Sequence, residues 1–192
     1  MKKSLAILSL ASIGFAGLPA FADNYVIDTK GAHASINFSI KHLGYSYLVG
    51  RFNTFSGEFT YDPKSVATST LNVSIDTTSV DSNHAERDKH LRSPDFLNVE
   101  KFPKATFVST KIIADDDDEE FDIVGDLTLN GVTKSITIEV DKVGEGKDPW
   151  GGYRVGFEGE TEFALKDFNI VQDLGPMSQT VKLELHVEGI KK

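Results

Sequence analysis

Cysteine is absent from the 192-residue chain, so disulfides, thiolate metal centres and thiol catalysis are all excluded. Basic side chains are outnumbered, with 20 Lys and Arg against 29 Asp and Glu for a net charge of −9. That balance excludes a nucleic-acid partner, because the chain as a whole repels polyanions, and it makes an anionic membrane a poor surface for it. Catalytic signatures are missing too. The chain has no Gly-x-Ser-x-Gly elbow, no phosphate-cradling glycine loop and no His-Glu-x-x-His pair. His84 and His90 stand six apart, so they do not share a helix face as an i, i+4 metal pair would, and surface or capping roles suit them.

What is present begins with an export signal. Residues 1–22 read MKKSLAILSLASIGFAGLPAFA, with two lysines, an apolar run from Leu5 to Leu18, and Ala20 and Ala22 at small-residue cleavage positions. The run is short for a transmembrane anchor, and without a lipobox cysteine a lipoprotein anchor is excluded. We expect cleavage after Ala22, no stable membrane insertion, and a periplasmic protein of residues 23–192 folded as one domain. A homodimer is left open. A domain of that size buries a core without covalent staples.

Along residues 23–192, apolar and polar side chains alternate. Ile36, Phe38, Ile40 and His42 share one parity against Asn37, Ser39 and Lys41, the pattern of a half-buried strand. Tyr47 to Tyr61 continues it with Phe55 and Phe59, but Phe52 falls out of phase between Gly50 and Gly57, which predicts a bulge or bend. Leu71, Val73 and Ile75 form a third row, and Ala105 to Ile113, with Phe107, a fourth. Phe121, Ile123, Leu127 and Leu129 then lead through Asn130-Gly131, a type I′ hairpin signal, into Ile136, Ile138 and Val140. After an expected loop from Gly144 to Gly152, Tyr153, Val155, Phe157, Phe163 and Leu165 share a parity, and Val181, Leu183, Leu185 and Val187 close the series. The reading is eight antiparallel strands with one wet face.

Such strands hide their dry face by pairing two sheets or by closing into a barrel. The fifteen residues from Tyr47 to Tyr61 favour a tall barrel, since they would span roughly 50 Å fully extended. An eight-stranded barrel is either just filled by side chains or just wide enough for one small ligand, and periodicity does not choose between them.

One stretch breaks the alternation. NHAERDKHLRSPDFLNVEKFPKATF, residues 83–107, reads as a short helical insert. Asn83 with Glu86 resembles a capping-box start, and Ser93 before Pro94 caps a second turn. Leu91, Phe96 and Leu97 supply its apolar contacts, and Phe102-Pro103 turns the chain into the next strand. The insert either plugs one barrel end or braces its flank. Arg87, Lys89 and Arg92 could attract a pyrophosphate head, but Glu86, Asp88 and Asp95 offer them ion-pair partners, and the structural ion-pair reading is favoured. The acidic run Asp115 to Glu120 lacks the spacing of a calcium loop and reads as a solvated hairpin tip. Asn72-Val73-Ser74 fits a glycosylation pattern that carries little meaning in a bacterial strand.

Residues 84–107 closely resemble the helical signature of the YceI family of bacterial periplasmic proteins. The segments YVID (Tyr25 to Asp28), HAS (His33 to Ser35), KHLG (Lys41 to Gly44), GDLTLNGVTK (Gly125 to Lys134) and KDF (Lys166 to Phe168) resemble the family's motifs as well. The resemblance implies a lipocalin-like barrel that holds a polyisoprenoid, such as a prenyl lipid or an isoprenoid quinone precursor, in an elongated apolar tunnel, with no metal or redox cofactor. It implies a carrier rather than an enzyme. Many relatives have Asp-Phe-Gly where this chain has Asp167-Phe168-Asn169.

The implied tunnel would be walled by the inward parity: Phe38, Ile40 and His42; Phe55 and Phe59; Leu71, Val73 and Ile75; Phe107, Leu127 and Leu129; Ile136 and Ile138; Phe157, Phe163 and Leu183. Each of these rings and aliphatic chains serves equally well as core filler. His42 meets a lipid head at a tunnel mouth or is a hydrogen-bonded structural residue. An enzyme acting on a lipid or small amphiphile through His42, or through the Asp and Arg groups of the insert, is the alternative.

Overall fold

A computed structural model describes residues 22–115 and 119–192. Residues 1–21 of the expected leader and the centre of the acidic run, 116–118, lie outside the described residues. The strands are β1 (Asp23–Ile27), β2 (Ser35–His42), β3 (Ser46–Phe52), β4 (Phe55–Tyr61), β5 (Thr70–Asp76) and β6 (Val80–Asp81). Helix α1 (Ala85–Arg92) precedes β7 (Lys104–Ala114), β8 (Glu120–Leu129), β9 (Val132–Lys147), β10 (Tyr153–Ala164) and β11 (Thr180–Lys191).

Every ladder is antiparallel, and the sheet closes because β11 pairs with β10 on one side and with β1 on the other, from Tyr25↔Lys191 to Ile27↔Gly189. The circuit β1-β4-β5-β7-β8-β9-β10-β11 is the expected eight-stranded barrel. Strands β2, β3 and β6 are not further rows. β2 prolongs the row of β1 along β11, from Ile36↔Leu185 to Ile40↔Val181, while β3 prolongs β4 and β6 prolongs β5, meeting at Phe52↔Val80. Of the eight rows in the alternating pattern, the structure breaks the one from Tyr47 to Tyr61, and it extends two others by β1 and β6, which the pattern did not show.

Side chains that satisfy the backbone cause each break. Between β1 and β2, Asp28 Oδ1 accepts from Gly31 N at 2.8 Å and Ala32 takes a positive φ of 56°. At Asn53-Thr54, Asn53 N donates to Ser79 O and Thr54 N to Ser79 Oγ, which absorbs the phase slip around Phe52 and lets Phe52 and Phe55 both face the core. Between β5 and β6, Asp76 caps a 3₁₀ turn over Thr77–Ser79 by accepting from Thr78 N at 2.9 Å.

Three sequence expectations are corrected. The N-cap of α1 is His84, whose Nδ1 accepts from Arg87 N at 3.2 Å; Asn83 instead takes a positive φ of 60°, so no capping box forms. The stretch from Gly144 to Lys147 is strand, because its backbone pairs with Tyr153 to Gly156 and leaves a loop only at 148–152. Arg87 and Arg92 bind backbone rather than carboxylates: Arg87 Nη2 donates to Ser82 O at 2.6 Å, and Arg92 donates to Thr78 O and Val80 O. The turn at Asn130-Gly131 is as expected, with positive φ at both residues and Leu129 paired to Val132. Asn169, at the position where the resemblance has glycine, adopts φ 58° and keeps the left-handed turn, which asparagine tolerates.

Candidate functional site

The ladder between β5 and β7 ends at Asp76↔Lys104, and the insert leaves and rejoins the wall there through Thr77 N to Pro103 O and Thr77 Oγ1 to Phe102 O. Beyond that point β6 pairs with β3, and among the described residues no ladder joins β6 to β7. The insert fills the gap. Its Leu91, Phe96 and Leu97, together with Val80 of β6, turn inward and become wall.

Behind this wall lies a cavity of about 640 Å³. The volume sits within the range of about 300–1,000 Å³ usual for small-molecule sites. Apolar side chains make most of its surface. Polar groups come only from Lys41, His42, Arg87, His90, Asp173 and Ser178. Several of these are tied down: Arg87 Nε donates to Ser82 Oγ, which the buried Asp88 also holds, and His90 Nε2 lies 3.0 Å from Asp95 Oδ2. Ser178 Oγ donates to Lys41 O and accepts from Leu43 N, which binds the loop before β11 to the β2–β3 hairpin.

Phe38, Ile40, His42, Leu129, Phe163 and Leu183 line this chamber, with His42 exposed at its mouth. A second cavity of only about 80 Å³ lies at the other end of the lumen and takes Phe59, Leu71, Ile138 and Phe157. Phe55, Val73, Ile75, Phe107, Leu127 and Ile136 line neither space. Strand order places them between. On β8, Phe121 and Ile123 face the small cavity, Leu127 follows, and Leu129 reaches the large one; on β11, Val187 and Leu185 give way to Leu183 and Val181. The lumen is therefore divided by a belt of core side chains, whereas an elongated tunnel was expected.

Leu165, at the end of its apolar row, also walls the chamber, and the sequence reading missed Ile170 and Leu174, which join it from the segment between β10 and β11. Their one signal was apolar residues in a stretch without alternation, where a solvated loop would be polar.

At the small-cavity end, the rings of Phe59, Tyr61 and Phe121 meet Phe157 edge-on at 5.2–5.9 Å. Outside them an ion cluster clamps the break after β1. Arg154 Nη1 lies 2.7 Å from Asp28 Oδ2 and also bonds Glu188, while Arg154 Nε reaches Asp148 Oδ2 at 3.0 Å. The Arg154 hydrogen bond, with help from Gly31 N, holds the buried Asp28 carboxyl down at about 2. Asp28, His33 and Glu188 bring three ligand-type atoms within 4.8 Å, but the guanidinium already occupies the place a cation would take.

A closed eight-stranded antiparallel barrel with one roomy apolar chamber has the architecture of barrels wide enough inside for one small ligand. Residues 25–189 match the YceI-like domain, and the chain belongs to that family. It is 58% identical over 192 residues, the whole of both chains, to Protein YceI of Shigella flexneri. The crystal structure of the Campylobacter jejuni YceI protein superposes with a TM-score of 0.72 at 31% identity, covering 80% of this chain and 90% of that one. A domain from Saccharophagus degradans described as polyisoprenoid binding shares the fold, with a TM-score of 0.64 at 15% identity over 88% of this chain and 98% of its own. Among the described residues no helix is long and apolar enough to cross a membrane.

Proposed function

We propose that this protein is a periplasmic carrier that shields a polyisoprenoid, either a prenyl lipid or an isoprenoid quinone precursor, without chemically altering it. The observation that carries the reading is the chamber of about 640 Å³, whose lining is predominantly apolar. Burying apolar surface stabilises by about 25 cal/mol per Å², so an isoprenoid chain binds there with few polar contacts. The polyisoprenoid-binding description of the Saccharophagus degradans domain, on the same fold, supports the class of guest. Export is supported by the leader pattern and by the start of β1 at Asp23, the residue after the expected cleavage site. A non-catalytic role is supported by Arg87 and Asp88, which spend their polar atoms on Ser82.

Protein recovered from a bacterial periplasm is expected to release a prenyl lipid into organic solvent, read by mass spectrometry. An empty extract, together with no uptake of added polyprenyl lipid, would overturn the reading. Turnover of a lipid substrate that disappears in a folded His42→Ala variant would replace the carrier by an enzyme.

A further inference from the structure

Six residues bring polar groups to the chamber, and four of them are committed elsewhere. Ser178 Oγ donates to Lys41 O and accepts from Leu43 N. Lys41 itself stands opposite Tyr47, on the outward parity of β2, between the inward Ile40 and His42. His90 Nε2 lies against the Asp95 carboxylate. Arg87 gives Nε to Ser82 Oγ and Nη2 to Ser82 O, and the buried Asp88 carboxylate holds the same hydroxyl, so the guanidinium meets its countercharge inside the wall.

Two remain, Asp173 and His42. Asp173 stands in the segment between β10 and β11, where Oδ1 accepts from Gly175 N at 2.8 Å, and it forms no ion pair among the described residues. The ring of His42, exposed at the mouth, has no partner among them either. The head of a guest therefore meets an uncompensated carboxylate and an imidazole. The arginines of the insert, which a phosphate would need, are spent: besides Arg87, Arg92 donates to Thr78 O and Val80 O.

From this arrangement we infer that Asp173 determines which head the guest carries: it accepts the O–H of an uncharged, hydroxyl-bearing head and bars a phosphorylated one. A carboxylate takes a hydrogen bond from a hydroxyl at no electrostatic cost, whereas a phosphate monoester brings about 1.5 to 2 further negative charges to the same place. The His42 ring gives or takes one more hydrogen bond at the same mouth. The inference rests on the carrier reading and narrows its guest from prenyl lipids at large to those with neutral heads.

Geranylgeraniol and geranylgeranyl monophosphate share one chain and differ only at the head. Each is offered to the mature protein in a neutral detergent at about pH 8, where the phosphate is close to doubly charged, and the amount retained is read by mass spectrometry. The parent is expected to hold the alcohol about tenfold more tightly, the scale of one like-charge contact at a partly screened surface. Asp173→Asn keeps an oxygen for Gly175 N and removes the charge, so it should bring the two lipids close to parity by strengthening the hold on the phosphate. Added salt should narrow the gap of the parent in the same direction, because exposed charges are screened. A parent that takes the monophosphate as readily as the alcohol overturns the inference, and so does a gap that survives in Asp173→Asn; in both cases the carrier reading stands. If neither lipid is retained, the carrier reading fails and the inference falls with it.

Discussion

The two ends of this barrel are built from the same alternating strands and come out opposite. At the end around Phe157, four aromatic rings close on one another, a chamber of only about 80 Å³ remains, and an ion cluster locks the outer wall. At the end around Leu183 the rows of the sheet come apart, a helical insert replaces one ladder, and about 640 Å³ stays empty. The difference teaches that periodicity decides which side chains face inward, whereas ring packing and continuity of the wall decide whether inward means filled or hollow. One half supplies stability so that the other can stay open.

The sharpest way to break this comparison is at Phe157. Replacing it by alanine removes the ring that three others touch and is expected to cost about 4 kcal/mol, read as a large drop in melting temperature. A loss below about 1 kcal/mol would show that the closed end carries no special share of the stability. Next comes Leu183→Glu in the open chamber. A carboxylate facing an apolar guest should weaken polyprenyl uptake about a hundredfold, near 3 kcal/mol, with an unchanged circular dichroism spectrum.

Asp28→Asn tests the clamp and should cost about 2 kcal/mol, the scale of hydrogen bonds to a charged group. Because the folded carboxyl sits at about 2, below the ordinary value near 4, its contribution is whole above about pH 4 and disappears as the pH falls toward 2. Acid titration of the parent and of the Asn variant should therefore converge over that window. Convergence above pH 5 would remove Asp28 from the account. The smallest effect is at Gly50, where an added Cβ would lie 2.3 Å from Phe38 Cζ and 2.9 Å from Asp81 O. Gly50→Ala should cost about 1–2 kcal/mol as the Phe38 ring is displaced, and a neutral result would show that the chamber wall is softer than the closed end.

Much of the barrel was legible because the apolar rows are long and the Asn130-Gly131 turn is chemically explicit. Leu127 and Leu183 could be placed on the inward face from parity alone. Parity could not separate them, and in the fold Leu127 sits in the belt while Leu183 faces empty space. The break beside Phe52 showed as a phase slip, but those after β1 and β5 were hidden, since they arise from the side chains of Asp28 and Asp76 reaching backbone amides. Gly144 and Gly146 disguised the end of β9 as a loop, because glycine marks loops locally while ladder pairing is decided by the distant Arg154 and Val155. The capping role open to His84 is the one it takes, but the start signal was read at Asn83, because histidine is a rare N-cap although its ring nitrogen accepts the amide as a hydroxyl oxygen would.

The seam between β6 and β7 has a kinetic meaning. Backbone ladders are what hold the other walls, so parting them would mean unravelling the cylinder. At the seam, Leu91, Phe96 and Leu97 are held by side-chain packing and by a few arginine-to-carbonyl bonds. Swinging that panel aside would break no strand pairing, so this stretch of wall can part while the rest of the cylinder stays laced.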